Sequence, residues 1–315
     1  MKRKGNLYNN MLKMENIDVA YNEVCAHTRN KKKVRNYKEY KCVYLTRIYN
    51  VLKNKNYEVG KYNVFTIYEP KKRIIVSQGL QDKVINHLIS REILYPSLIP
   101  CLIDENVASI KSKGTSYGVK LMRKFHNVCK IKYGEYYILK CDISKFFASI
   151  DKNILKQKLL KKIKDQDAID IVFKVIDSQE QGLGIGNMTS QVLAVFYLND
   201  MDHYIKESLH IKYYVRYQDD FLLFHPSKEY LKYCLEKIKE FLEKEHLSLN
   251  KKSRIYKSTN NFLFLGRDKY GRYAKYREIK RKIKKQKYLY ELDKINLMSY
   301  VTSRICYKNL LKTKN

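Results

Sequence analysis

The sequence has no tryptophan, only four prolines and eleven glycines in 315 residues, and half as many acidic as basic side chains. With 44% hydrophobic residues, so little proline and glycine counts against a disordered chain. No Pro/Gly/Ser-rich linker divides it, and no internal repeat is visible. Long apolar runs are missing too. ILYPSLIPCLI and VLAVFYL are too short to span a bilayer, and the first carries prolines. The opening MKRKGNLYNNMLKMEN has charge but no apolar centre, so it does not read as a secretory signal. Seven cysteines, an odd number without a CxxC pair, point to a reduced, cytoplasmic chain with no zinc site.

What is present is charge of one sign. Lysine and arginine total 64 against 32 acids, a formal net charge of +32. A field of that size favours a polyanionic partner, and with membrane readings disfavoured that partner is nucleic acid. The length allows one large domain or two to three subdomains.

Along the chain, residues 1–57 read as basic helices punctuated by tyrosine. YNVFTIYEPKKRIIVSQG reads as two short strands joined by a basic turn, with Pro70 ending the first. A helix is expected from Gln81 to Leu94, and a glycine turn followed by a helix in KSKGTSYGVKLMRKFHNV. YYILKCDISKFFASID begins as a strand that ends on Asp142. QGLGIGNMTSQVLAVFYL is a glycine-rich loop leading into a long apolar helix, capped near Thr189 or Ser190. KYYVRYQDDFLLF reads as strand, tight turn, strand. Leu231, Leu235, Ile238 and Leu242 mark the inner face of an amphipathic helix. NNFLFLGRDKYGRY reads as a further hairpin, and the remainder is basic and helical, with Tyr288 and Leu289 or Leu292 facing inward. This order gives an α+β fold with acids borne on strands.

Asp219 and Asp220 stand side by side between two greasy runs, where they repel each other. Taken alone, Gln218-Asp219-Asp220 fits a hairpin turn, because Asp forms turns well. Asp142, at the end of another strand, offers a third carboxylate for the same sheet edge, although it also fits an N-cap. Three converging carboxylates need cations, and their hard oxygens suit a pair of Mg²⁺ ions. Two such ions activate an attacking hydroxyl and stabilise leaving pyrophosphate.

DISKFFASID, GIGNMTSQ, YQDD, LSLNKKS and FLFLG occur in the order found in reverse transcriptases of bacterial retroelements, which this chain resembles. Upstream, FTIYEPKKRIIVSQGLQDKVINHLI and LIDENVASIKSKGTSYGVKLM resemble the fingers of those enzymes. Together the matches run from about residue 62 to 267. The I-G-x-x-x-S-Q segment looks most like the enzymes of diversity-generating retroelements, whereas most relatives carry Q-G-x-x-x-S-P there.

The resemblance implies a right-hand polymerase fold. Residues 1–60 would be a basic helical part of the fingers, 61–135 the fingers, 136–272 the palm with interleaved helices at 152–185, and 273–315 a small helical thumb. Asp142 and Asp219 would ligate both metals, with the Ile143 carbonyl as a further metal ligand and Asp220 beside them supporting the primer-end metal. Mg²⁺ is the expected ion and Mn²⁺ an alternative, with dNTPs as substrates. Phe147 would exclude a 2′-hydroxyl, although it also fits a core position. Lys71 and Arg73 would neutralise the triphosphate, unless they are only a basic turn. Ile185, Gly186, Ser190 and Gln191 would line the nucleotide and template. Ile185 replaces a residue that hydrogen-bonds the nucleotide, which implies low fidelity. Lys252, or its neighbour Lys251, would protonate pyrophosphate. Phe264, Leu265 and Gly266 would grip the primer.

The implied partners are a structured noncoding template RNA, a template–primer duplex and a small basic accessory protein, in the cytoplasm of a bacterium or encoded by a phage. An antiphage enzyme copying a dedicated RNA shares every one of these motifs. A non-catalytic RNA-binding scaffold is the third reading, and the complete set of acids speaks against it. No endonuclease, maturase or RNase H segment is expected.

Overall fold

The structure is a computed structural model that describes residues 3–28, 30–68, 73–272 and 276–312. The chain begins with the helices Leu7–Met11, Met14–His27, Lys31–Glu39 and Lys41–Lys53. Ile17, Tyr21 and Val24, spaced by four and three residues, are buried in one core with Ile48 and Leu52. The hairpin that follows pairs β1 (Asn63–Ile67) with β2 (Arg73–Ser77), Asn63 opposite Ser77 and Ile67 opposite Arg73. Its connecting turn, with Pro70, Lys71 and Lys72, lies outside the described residues.

The helix expected over Gln81–Leu94 is regular only from Leu80 to Leu88. It then widens into a π-helical stretch, Ile89–Leu94, before the short Tyr95–Leu98 helix. Pro96 has no N–H to return to the carbonyl of Glu92, which accounts for the lost regularity. Gly114, at φ 123, opens the Thr115–Tyr133 helix.

A four-stranded antiparallel sheet forms the centre: β3 (Tyr137–Asp142), β4 (Tyr213–Tyr217), β5 (Asp220–His225) and β6 (Arg254–Lys257), in the order β4-β5-β3-β6. Both faces are covered. Leu139, Cys141, Tyr214, Phe221 and Leu223 join the larger core, to which the Lys228–Lys244 helix contributes Leu231, Cys234, Ile238 and Leu242. Ile138, Val215, Leu222 and Phe224 join a second core with Met122, Phe125, Phe262 and Phe264. Burial on both sides explains why DFLLFH reads as an unbroken apolar run.

Three expectations are corrected. The Met188–Tyr197 helix has Asn187 at its N-cap, and Thr189 and Ser190 are buried inside its first turn. The hairpin expected over residues 260–273 reduces, among the described residues, to one bridge, Phe264 to Arg267, and β6 takes the edge of the sheet instead. In the Tyr276–Glu291 helix the inward stripe is Ile279, Ile283, Gln286 and Tyr290, and Tyr290 stacks on Tyr300 of the Leu297–Lys312 helix at 4.8 Å. Tyr288 and Leu292 fall off that stripe and are exposed, while Leu289 is half-buried. No helix among the described residues is long and apolar enough to cross a membrane.

Candidate active site

Only Gln218 and Asp219 join β4 to β5, so Tyr217 faces Asp220 directly. Gln218 adopts the left-handed conformation, φ 56, that so tight a reversal requires. The two acids are adjacent because one lies in the turn and the next begins a strand. Asp142, the last residue of β3, stands opposite Asp220 across the β3–β5 pair. The Ile143 N–H donates to the Asp219 carbonyl at 3.2 Å. One end of the sheet therefore carries all three carboxylates, each half-buried.

Each acid has its own support. The Asn250 N–H donates to the Asp142 carbonyl at 2.7 Å, and Asn250 Nδ2 donates to Asp142 Oδ2 at 3.0 Å. The Asp142 N–H donates to Ser253 Oγ at 3.3 Å. Both partners come from LSLNKKS, where sequence reasoning saw only the lysines. Lys252 is exposed on the same turn, and its N–H donates to Asn250 Oδ1 at 3.1 Å. Asp220 is met by Lys140, whose Nζ lies 2.5 Å from Oδ1. Burial pushes the Asp220 carboxyl up to about 6 against the pull of Lys140, and the charges of Asp142 and Asp219 add to the rise.

The opposite face of the turn rests on Arg216. Its guanidinium is fully buried and grips both carboxylate oxygens of Asp202, with Nε at 2.7 Å from Oδ1. A further nitrogen donates to the Gln218 carbonyl at 3.0 Å, and Tyr214 Oη donates to Asp202 at 2.7 Å. The backbone of Arg216 also ties residues 105–107 to the sheet, through Glu105 and Val107. An arginine buried at this depth was not legible from its spacing alone.

The donor set of Asp142 and Asp219 is hard oxygen, which fits Mg²⁺ or a similar divalent ion. The Ile143 carbonyl suits the same role, because the bridge to Leu249 is bonded through Asp142, Ser144, Ser248 and Asn250 instead. Among the described residues no three acid, His or Cys side chains are grouped closely enough to hold a metal, and Asp220 is paired with Lys140.

The other predicted residues frame these acids. Phe147 is half-buried in the short Phe146–Ser149 helix, and its carbonyl accepts the Leu183 N–H at 2.8 Å. Gly182, at φ 56, presses on that same carbonyl: a Cβ there would lie 2.2 Å from it. The Ile185 carbonyl accepts the Val76 N–H at 2.9 Å, which docks the GIGN loop on β2. At Gly186, φ 127, a Cβ would lie 2.9 Å from the Val76 carbonyl, so the loop backbone packs closely on β2 while Gly186 stays exposed. Thr189 donates to Asn86, which donates to Gln78, which donates to Tyr62; this chain also ties the loop to the β1–β2 hairpin. Ser190 is buried and Gln191 exposed. Arg73 opens β2 and is exposed, and Lys71 lies outside the described residues. Phe264 is buried, and Leu265 and Gly266, at φ 51 and 75, form a type I′ turn closed by the Phe264–Arg267 bridge. A Cβ on Gly266 would meet nothing within 4 Å, so its backbone conformation, not crowding, calls for glycine.

Residues 36–268 match the family described as reverse transcriptase (RNA-dependent DNA polymerase). The chain belongs to the reverse transcriptase family. The match takes in every described site residue above and ends before the two C-terminal helices. Among solved structures, telomerase from Candida albicans with a fragment of telomeric RNA is similar at TM-score 0.54 and 13% identity, over 82% of this chain and 56% of that one. Apo telomerase from Candida tropicalis, truncated from its C-terminal domain, is similar at TM-score 0.52 and 17% identity, over 66% and 52%. The chain thus spans about half the length of these telomerases. No curated protein matches it. The fold is the right-hand polymerase fold, and residues 36–268 are a reverse transcriptase domain.

Proposed function

We propose that this protein copies an RNA template into DNA by two-metal nucleotidyl transfer. One observation carries the reading: Asp142 faces Asp220 across β3 and β5 while Asp219 occupies the turn between strands, within a reverse transcriptase domain. The four-stranded sheet serves as palm, residues 61–135 as fingers, the helices at 152–185 as interleaved support and residues 273–315 as thumb. Divalent ions, Mg²⁺ or Mn²⁺, activate the primer hydroxyl and stabilise pyrophosphate when bound. Asp142 and Asp219, with the Ile143 carbonyl, would hold them, with Asp220 at the edge of the site. Phe147, whose backbone is held by the Gly182–Leu183 segment, excludes the 2′-hydroxyl of a ribonucleotide with its ring. Arg73 and Lys71 meet the triphosphate, Lys252 supplies a proton to pyrophosphate, and Phe264, Leu265 and Gly266 seat the primer. The exposed cations of the Tyr276–Glu291 helix, among them Arg281, Lys284 and Lys285, run along the template–primer phosphates.

The finer role we infer is error-prone copying of a structured noncoding RNA for sequence diversification, with a small basic accessory protein. It is supported by IGNMTSQ and by Ile185, which presents a half-exposed apolar side chain while its carbonyl bonds β2. Apolar contact discriminates bases by shape alone, so Ile185→Gln should lower misincorporation. An unchanged error rate refutes the diversification reading. The polymerase reading is tested by offering dNTPs or rNTPs on a primed RNA template. DNA product alone supports it, and preferential use of rNTPs refutes it.

A further inference from the structure

Lys140 was not singled out in the sequence, yet it pairs directly with one of the catalytic acids. On β3 it lies two residues before Asp142 and so on the same face of the sheet. It stands opposite Leu222, while Asp142 stands opposite Asp220, which makes Lys140 and Asp220 diagonal neighbours. The pair is 2.5 Å apart, and the two side chains retain only 23% and 22% of their exposure. Salt screens a pair so far withdrawn from water much less than a surface one. Behind it, the Lys140 ammonium lies 5.7 Å from the centre of the Phe264 ring, and Phe264 is fully buried. The lysine is thus held between the proposed primer-gripping turn and the carboxylate.

We propose that Lys140 is the resident counter-ion of Asp220, and that it keeps this carboxylate out of the metal's direct coordination. The divalent site is then built on Asp142 and Asp219, with Asp220 and Lys140 acting as a neutral positioning pair at its edge. This inference rests on the polymerase reading above.

The test is Mn²⁺ binding to the metal-free full chain, read by electron paramagnetic resonance without primer or nucleotide. The variants are Lys140→Met, Lys140→Arg, Asp142→Asn and the double Lys140→Met/Asp220→Asn. Removing the lysine alone exposes a third anion to the ion, so Lys140→Met should bind Mn²⁺ at least about tenfold more tightly. Lys140→Arg, which keeps the charge, should match the wild type. The double variant removes both members of a neutral pair and should stay within about fivefold of the wild type. Weakening beyond that in the double variant makes Asp220 a ligand and overturns the proposal. So does a Lys140→Met protein that folds, by its thermal melt, and binds no more tightly. Should Lys140→Met fail to fold, the double variant, which buries no lone charge, decides the question by itself. Wild-type binding by Asp142→Asn overturns the polymerase reading instead, and so separates the two failures.

Discussion

Replacing Arg216 with Met should be among the most costly single changes in this molecule. Both Arg216 and Asp202 are completely withdrawn from solvent. The guanidinium satisfies both Asp202 oxygens, the Gln218 carbonyl and the Val195 carbonyl, and methionine can replace none of these bonds. Asp202 would be left with the Tyr214 hydroxyl to support a buried negative charge. Breaking one side of a buried pair costs about 3–5 kcal/mol, against roughly 5–15 kcal/mol for the stability of a whole domain. Urea unfolding of the wild type, Arg216→Met, Asp202→Asn and the double variant measures it. The double variant should lose clearly less than the sum of the singles, because the second change removes the group that the first one orphaned. Arg216→Lys keeps the charge but not the fork, so it should remain folded and still lose polymerase activity, since the Gln218 carbonyl beside Asp219 is no longer held. A loss below about 1 kcal/mol in Arg216→Met, or strictly additive singles, would refute the buried strut.

Other outcomes follow from the same geometry. Phe147→Ala should admit ribonucleotides, read as an rNTP-to-dNTP incorporation ratio raised by roughly two orders of magnitude; an unchanged ratio assigns the ring to the core alone. Gly186→Ala should cost about 1–3 kcal/mol in thermal stability, from its left-handed backbone and the 2.9 Å approach of its Cβ to the Val76 carbonyl. Because that contact joins β2 to the GIGN loop, the same variant should also raise KM for dNTPs, measured by steady-state extension.

The elements that carry short-range signals were legible in the sequence. The Lys228–Lys244 helix shows its apolar spacing, β3 ends on Asp142, and YQDD forms the turn that both of its readings required. What was not legible depends on distant partners. Asn250, Ser253 and Lys140 have no local pattern that marks them, and meet the acids only because β3 pairs with β5 and lies beside the 248–253 turn. Arg216 sits in a strand whose apolar neighbours gave no hint that its charge would be matched from residue 202. The packing of Gly186 on the Val76 carbonyl was likewise not legible, because it depends on β2 more than a hundred residues earlier. The basic C-terminal helix misled for another reason: with cations on most of its surface, its inward stripe is marked by isoleucine, glutamine and tyrosine, not by a clear apolar face.

The most direct measurement is primer extension on an RNA template with Mg²⁺ and dNTPs, wild type beside Asp219→Asn, with the chain co-purified with its native RNA if the isolated protein is silent. The account predicts DNA synthesis by the wild type, lost by at least about a thousandfold in the variant. Synthesis that survives in Asp219→Asn, or none from the wild type in either form, would contradict it.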